Sequence, residues 1–211
     1  MARLSTESDP VLRGRRLTLR ALRVEDYPAW SEVRTRCREW LLKWEPRPAR
    51  APYPMEDRPT FAARCAMRDR ERALGSGFAF GVFLGETFLG EANLSGIQRG
   101  AMQSGSVGYW IDETAAGNSY VPEACALIFQ YAFEQLKLHR IQISIVPRNG
   151  ASRAVARKLW LRGEGKAPRY REIDGGGEDH VWYAIPEEEW RERSARYLRE
   201  WITPDPESPR P

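Results

Sequence analysis

The sequence predicts an α+β fold, a mixed and mostly antiparallel sheet with helices on both faces. Three observations predict it. Three strand-like alternations follow one another across short turns near the middle of the chain, which argues for antiparallel pairing. Helical and strand patterns then alternate. One helical segment, from about Val121 to Leu138, is apolar nearly all round and needs cover on several sides. The order β-α-α-β-β-β-α-β-α-β-β-α fits neither an alternating Rossmann series nor an all-β sandwich.

Taken in order, Leu17, Leu19 and Ala21 alternate with Arg16, Thr18 and Arg20 as a half-buried strand. Asp26 caps a helix with Pro28 in its first turn, and Trp30, Val33, Cys37, Trp40 and Leu41 recur at helical spacing. Five prolines in segment 45–59 forbid a regular element there. A helix from Pro59 to Leu74 ends at Gly75. Phe78, Phe80, Val82 and Leu84 alternate, Gly85-Glu86 turns the chain, and Phe88 to Ile97 returns as the clearest hairpin. A third strand spans Ser106 to Ile111. After the apolar helix, Ile141, Ile143 and Ile145 form a strand stopped by Pro147, and a shorter helix begins at Asn149 to Ser152. Residues 168–173 and 180–185 pair across a glycine-rich turn. Pro186 and Glu187 to Glu189 open a terminal helix, acids against its positive end.

The 211 residues and 42% hydrophobic content suit one domain, placed at 15–202 between a flexible 1–14 and a flexible, proline-bearing tail 203–211. Net charge is +4, with 33 basic and 29 acidic residues interspersed. No basic block marks a nucleic-acid arm, so direct nucleic-acid binding is not expected. Three scattered cysteines without a CxxC pair give neither a disulfide framework nor a zinc knuckle, and two histidines cannot build a histidine-rich metal site. With no apolar run of about 18 residues and no signal-like segment, the chain reads as cytoplasmic, a monomer or homodimer with no metal.

Two turns carry the chemistry. Gly117, Asn118 and Ser119 sit between a strand and the buried helix, whose first amides lack intrahelical partners and suit a phosphate. Asn149 and Ser152 open the next helix directly after a neighbouring strand, so a ligand could lie across both turns at one sheet edge. Each turn is also readable as a plain helix cap.

These elements, in this order, resemble the GNAT N-acetyltransferase superfamily, specifically its RimJ/RimL-type branch. The resemblance covers roughly residues 15–190. It rests on Leu12 to Arg20, Val107-Gly108-Tyr109-Trp110-Ile111, Ala116 to Ala124, Leu138-His139-Arg140-Ile141, Asn149-x-x-Ser152 through Leu159, and Asp179 to Ala184. It implies a GNAT-like acyl-CoA N-acyltransferase fold with acetyl-CoA as acyl donor. The pyrophosphate would lie on Gly117, Asn118, Ser119, Tyr120 and Val121. The pantetheine arm would run along Trp110, Ile111 and Asp112, where two strands splay, in contact with Asn149. Ser152 would lie near the sulfur and protonate the departing thiolate. The sequence departs twice from the family pattern, with Ser119 in place of a second glycine and Trp160-Leu161 where Gly-Phe is usual.

The family transfers acyl by direct attack, so the inward-reading Cys125 is structural rather than nucleophilic. Glu91, on the returning hairpin strand, is the first candidate base because alternation could aim it at the substrate. Asp179 is the second, on the acceptor side, and a water chain would also serve. Trp30, Trp40 and Trp44 precede the proline-rich loop. The first two keep helical register and read as core, whereas Trp44 reads as a wall of the acceptor pocket. The implied acceptor is an amine: first a peptide or protein N-terminus of the ribosomal-protein alanine type, alternatively a small amine or antibiotic. A non-catalytic acyl-CoA sensor is the reading from a different class.

Overall fold

The computed structural model describes residues 9–47 and 56–203. Its strands are β1 (Leu12–Arg13), β2 (Leu17–Arg20), β3 (Phe78–Leu84), β4 (Thr87–Gln98), β5 (Ser104–Ile111), β6 (Arg140–Ile145), β7 (Arg162–Ile173) and β8 (Gly176–Pro186). They form one sheet in the order β1-β2-β3-β4-β5-β6-β8-β7. All neighbours run antiparallel except β5 and β6.

Helices cover both faces, and the strand alternation shows why. Phe78, Phe80 and Val82 of β3, with Ala92 and Leu94 of β4, face the larger core. There they meet α4 (Tyr120–Gln130), which continues as a π-helical turn, and α6 (Glu187–Tyr197). From Ala124 to Phe129 every side chain of α4 is buried, as its apolar circumference requires. Phe83 and Phe88 point to the other face, against Trp30, Val33, Cys37, Leu41, Phe61 and Cys65. Those residues come from α1 (Tyr27–Arg36), the junction at Cys37, α2 (Arg38–Leu42) and α3 (Arg58–Ala73). The remaining helix, α5 (Gly150–Lys158), follows β6.

Several local readings change. The first helix is two, broken at Cys37, whose backbone leaves the helical region. Asp26 does not cap α1 with its side chain; it accepts from the Arg23 amide and from Arg20, closing the preceding short 3-10 turn. Leu12 and Arg13, inside the segment read as loose, pair with Leu19 and Thr18. The last hairpin is longer than the sequence suggested, because β7 pairs through two irregularities that blur its alternation. Residues 48–55 of the proline-rich segment, and 1–8 and 204–211 of the ends, lie outside the described residues.

Two features position the site. The parallel pairing of β5 and β6 lasts only from Ser104–Arg140 to Ser106–Gln142. Beyond it β5 stays with β4 as far as Ile111–Gly90, and β6 stays with β8 as far as Ile145–Val181. The sheet therefore splits, freeing backbone groups along the inner edges. The second feature is Glu123, fully buried near the start of α4. Its carboxylate accepts the Arg16 amide at 2.6 Å, the Leu17 amide at 2.9 Å and Arg16 Nε at 2.8 Å. A Cβ at Gly14 would sit 2.8 Å from Glu123 Oε1, so a side chain there would push against the carboxylate that the β1–β2 turn closes around.

Candidate active site

A cleft of about 530 Å³ opens at the split. Tyr109, Trp110 and Ile111 of β5 form one wall, and Gly117, Ser119, Tyr120 and Val121 form the floor at the α4 terminus. Asn149, Ser152 and Lys158 of α5 face them, and Trp40, Trp44 and Glu45 close the far side. Strand end, helix terminus and helix start thus meet at one sheet edge.

The floor is built by unusual backbone. Gly117 has φ 84° and Ser119 φ 62°, both left-handed. Only glycine takes this region freely. The turn leaves the first α4 amides without intrahelical acceptors at the positive end of the helix dipole. Lys158 Nζ reaches Ser119 Oγ at 2.6 Å, adding a cation beside them. Such a floor suits a phosphate or diphosphate. Ser119→Gly should relieve about 1–2 kcal/mol of left-handed strain, partly offset by glycine's freedom in the unfolded chain. The expected net gain is about 0.5–1 kcal/mol, read as a small rise in Tm.

Where the β5 wall meets α5, Ser152 Oγ and the Tyr109 hydroxyl lie 2.7 Å apart. Burial, first of all, pushes the Tyr109 phenol far above its ordinary value, so it stays protonated and can donate to Ser152. Asn149 caps α5, its side chain accepting from the Ser152 amide at 3.0 Å. It therefore serves as the cap and lines the cleft at once. Tyr109 was not among the residues expected to work; its place on β5 facing the split is visible only once the strand's register is known.

The far side is fastened from behind. Arg34 is buried and donates to Glu45 Oε1 and to Glu56 Oε1. Burial would lower its guanidinium, but these two carboxylates outweigh that and hold it above the usual arginine value. The same guanidinium lies 5.4 Å from the Trp110 ring centre and 5.7 Å from that of Trp30. The backbone around Glu45 is also tied to the β7–β8 hairpin: Asp174 N donates to Glu45 O, and Arg47 N to Glu172 O. Trp44 lines the cleft. Trp40, expected in the core, packs half-buried against the Trp30–Phe61 cluster and also lines the cleft.

Four expected site residues turn their side chains elsewhere. Glu91 is buried with both oxygens taken, Oε1 by Trp30 Nε1 at 2.8 Å and Oε2 by Arg64 at 2.6 Å. The crevice it borders, of about 20 Å³, has room for a water and none for a substrate. It ties α1 and α3 to the sheet. Asp112 turns its carboxylate away, accepting from Thr114, Arg36 and Cys37. Burial would raise it, yet those bonds and the Arg36 charge hold it below the usual carboxylate range. Asn118 bonds back to the Ala115 and Ala116 carbonyls and braces the turn. Asp179 pairs with Lys166 and accepts the Arg169 amide on the outer hairpin, which holds its carboxyl low. None of the four lines the cleft. Cys125 is fully buried, and burial pushes its thiol well up, far from a reactive thiolate. No cluster of metal-binding side chains occurs among the described residues, and no helix there is long and apolar enough to cross a membrane.

A mixed sheet split between two parallel strands, with a phosphate-suited helix terminus at the split and a hydroxyl pair beside it, is the architecture of an acyl-CoA-dependent N-acetyltransferase. The sequence matches the Acetyltransferase (GNAT) domain over residues 16–161, and the chain belongs to that family. It is 38% identical over 110 residues to the "Probable N-acetyltransferase YjcK" of Bacillus subtilis (strain 168), covering 51% of this chain and 61% of that protein. It is 31% identical over 172 residues to the [Ribosomal protein uS5]-alanine N-acetyltransferase of Escherichia coli (strain K12), covering 79% and 87%. The structure of Mycobacterium smegmatis RimJ in complex with CoA-disulfide superposes with a TM-score of 0.82 at 29% identity, covering 92% and 94%. The protein is thus a GNAT acetyltransferase using acetyl-CoA as donor.

Proposed function

We propose that the protein acetylates the N-terminal α-amine of a protein or peptide, of the ribosomal-protein alanine type. The observation that carries this reading is the form of the cleft. It runs from the left-handed turn at Gly117–Ser119, past Ser152 and Tyr109, to an aromatic end at Trp40 and Trp44. The kind of acceptor is supported by the activity named for the Escherichia coli relative, matched along 87% of its length.

In this reading the amides at the start of α4, with Lys158, hold the diphosphate of acetyl-CoA. The pantetheine arm follows the free edge of β5 at Trp110 and Ile111, beside Asn149. The neutral amine attacks the thioester carbonyl directly; the C–N bond forms and the C–S bond breaks. Ser152 passes a proton to the departing thiolate and takes one back from the cleft water that receives the amine's proton, while Tyr109, still protonated, supports the serine oxygen by hydrogen bonding. The amine's own proton leaves through water in the open cleft. A cytoplasmic setting fits such an acceptor.

Two measurements test the reading. Calorimetric titration should show acetyl-CoA binding, and Lys158→Ala should weaken it a few-fold, less so as salt rises, as for an exposed ion contact. A panel of peptides with free N-termini, set against small primary amines, should then be acetylated preferentially, followed by mass spectrometry. Turnover of small amines with none of peptides would reverse the acceptor assignment.

A further inference from the structure

We propose that Glu45 is the docking carboxylate for the acceptor's α-ammonium, a specificity determinant that rests on the peptide-amine reading above. Among the described residues lining the cleft, Glu45 is the one carboxylate. It stands between Trp44 and Pro46 at the end opposite the α4 terminus, with a side chain about a quarter exposed at 27%. Its Oε1 is engaged by Arg34, which orients the group. Arg34 is itself fixed by Glu56 and flanked by the Trp30 and Trp110 rings, so the carboxylate is held rather than free to swing. The backbone bond from Asp174 N to Glu45 O fixes the same residue from the hairpin side. Glu45 lines the cleft and keeps part of its side chain exposed, within reach of a ligand there.

An α-amine with an ordinary pKa of about 7.7–8.0 is largely protonated near neutral pH, and it enters the cleft as a cation with three donors. A fixed carboxylate between aromatic walls suits that cation: one charge-assisted hydrogen bond, with the rings contacting the first residue's small side chain. A Lys Nζ would bring the same charge on a longer stem, without the adjoining peptide group near the walls. Glu45 thereby selects a terminus over an internal residue by geometry.

The test compares an N-terminal alanine peptide with its desamino analogue, in which hydrogen replaces the amine. The wild-type protein should bind the amine peptide about tenfold more tightly than the analogue, as expected for one charged contact. Glu45→Gln should bind the two alike and raise the peptide KM about tenfold. The KM for acetyl-CoA should stay unchanged in this variant, which shows that the fold is intact. General loosening of the loop would instead weaken both ligands and preserve their ratio, and that result overturns the assignment. Equal wild-type affinity for the two ligands overturns it as well. A wild-type protein that acetylates no peptide removes the acceptor reading itself, a failure recognisable before any variant is made.

Discussion

Glu123→Ala is expected to lower stability by about 3–5 kcal/mol, among the larger effects a single substitution produces. The carboxylate has no solvent exposure and accepts two backbone amides, Arg16 N and Leu17 N, besides Arg16 Nε. Removing it strands both amides in a space too tight for ready hydration, at about 1–3 kcal/mol each. The Arg16 guanidinium is partly exposed and recovers water, so little is added for it. For a domain of this size the loss should appear as a fall in Tm on the order of 10 °C. Glu123→Gln keeps one oxygen for the two amides but loses the charge and turns an NH2 donor toward Arg16 Nε; it should fall between alanine and wild type. Because Arg16 also donates to the Asn118 carbonyl at 3.0 Å, the alanine variant should bind acetyl-CoA more weakly as well. Unfolding midpoints for all three proteins within about 1 °C of one another would refute this account.

Glu123 also marks where the sequence stopped being legible. A glutamate in the first turn of a helix reads as a dipole complement, and nothing local shows that the β1–β2 turn, more than a hundred residues earlier, is folded around it. Glu91 failed for a related reason. Strand alternation correctly sets it on the face opposite Ala92, but that face is covered by α1 and α3. Period-two patterning tells the two faces of a strand apart without saying which is open. Local signals did better where the chemistry is itself local. The Gly117–Ser119 turn, the Asn149 cap and Ser152 are each specified by a few adjacent residues, and all three converge on the cleft.

The two departures from the family pattern prove to share one cause. Ser119 at φ 62° and Trp160 at φ 51° both occupy left-handed backbone where the pattern has glycine. The chain keeps the conformation and holds it by contacts instead. Lys158 bonds Ser119, while Trp160 is covered by the Arg196 guanidinium at 3.7 Å and set edge-on to Tyr197. An aromatic residue in this region is an outlier that surrounding structure must over-determine. The terminal helix therefore acts as a brace on the end of α5, the element that carries Ser152. That link joins distant packing to the reacting end of the cleft.

Ser152→Ala is expected to lower kcat on the order of 10²-fold with little change in the KM for acetyl-CoA, the pattern for a proton donor used only as the thiolate departs. The residue's amide remains capped by Asn149, so the helix start should survive the change. Tyr109→Phe should cost less, since the serine hydroxyl stays in place and loses only its 2.7 Å partner. If the two hydroxyls work as a unit, the double variant should be little worse than Ser152→Ala alone. The pH profile separates their roles further. Burial raises the Tyr109 phenol, which keeps it protonated well beyond the range where an ordinary tyrosine would ionise. A falling alkaline limb due to Tyr109 should therefore be absent below about pH 10. The profile of the Phe variant should match wild type in shape while lying lower. A wild-type limb in that range that vanishes in Tyr109→Phe would show instead that the phenol titrates, and the neutral donor would have to be assigned to Ser152 without it.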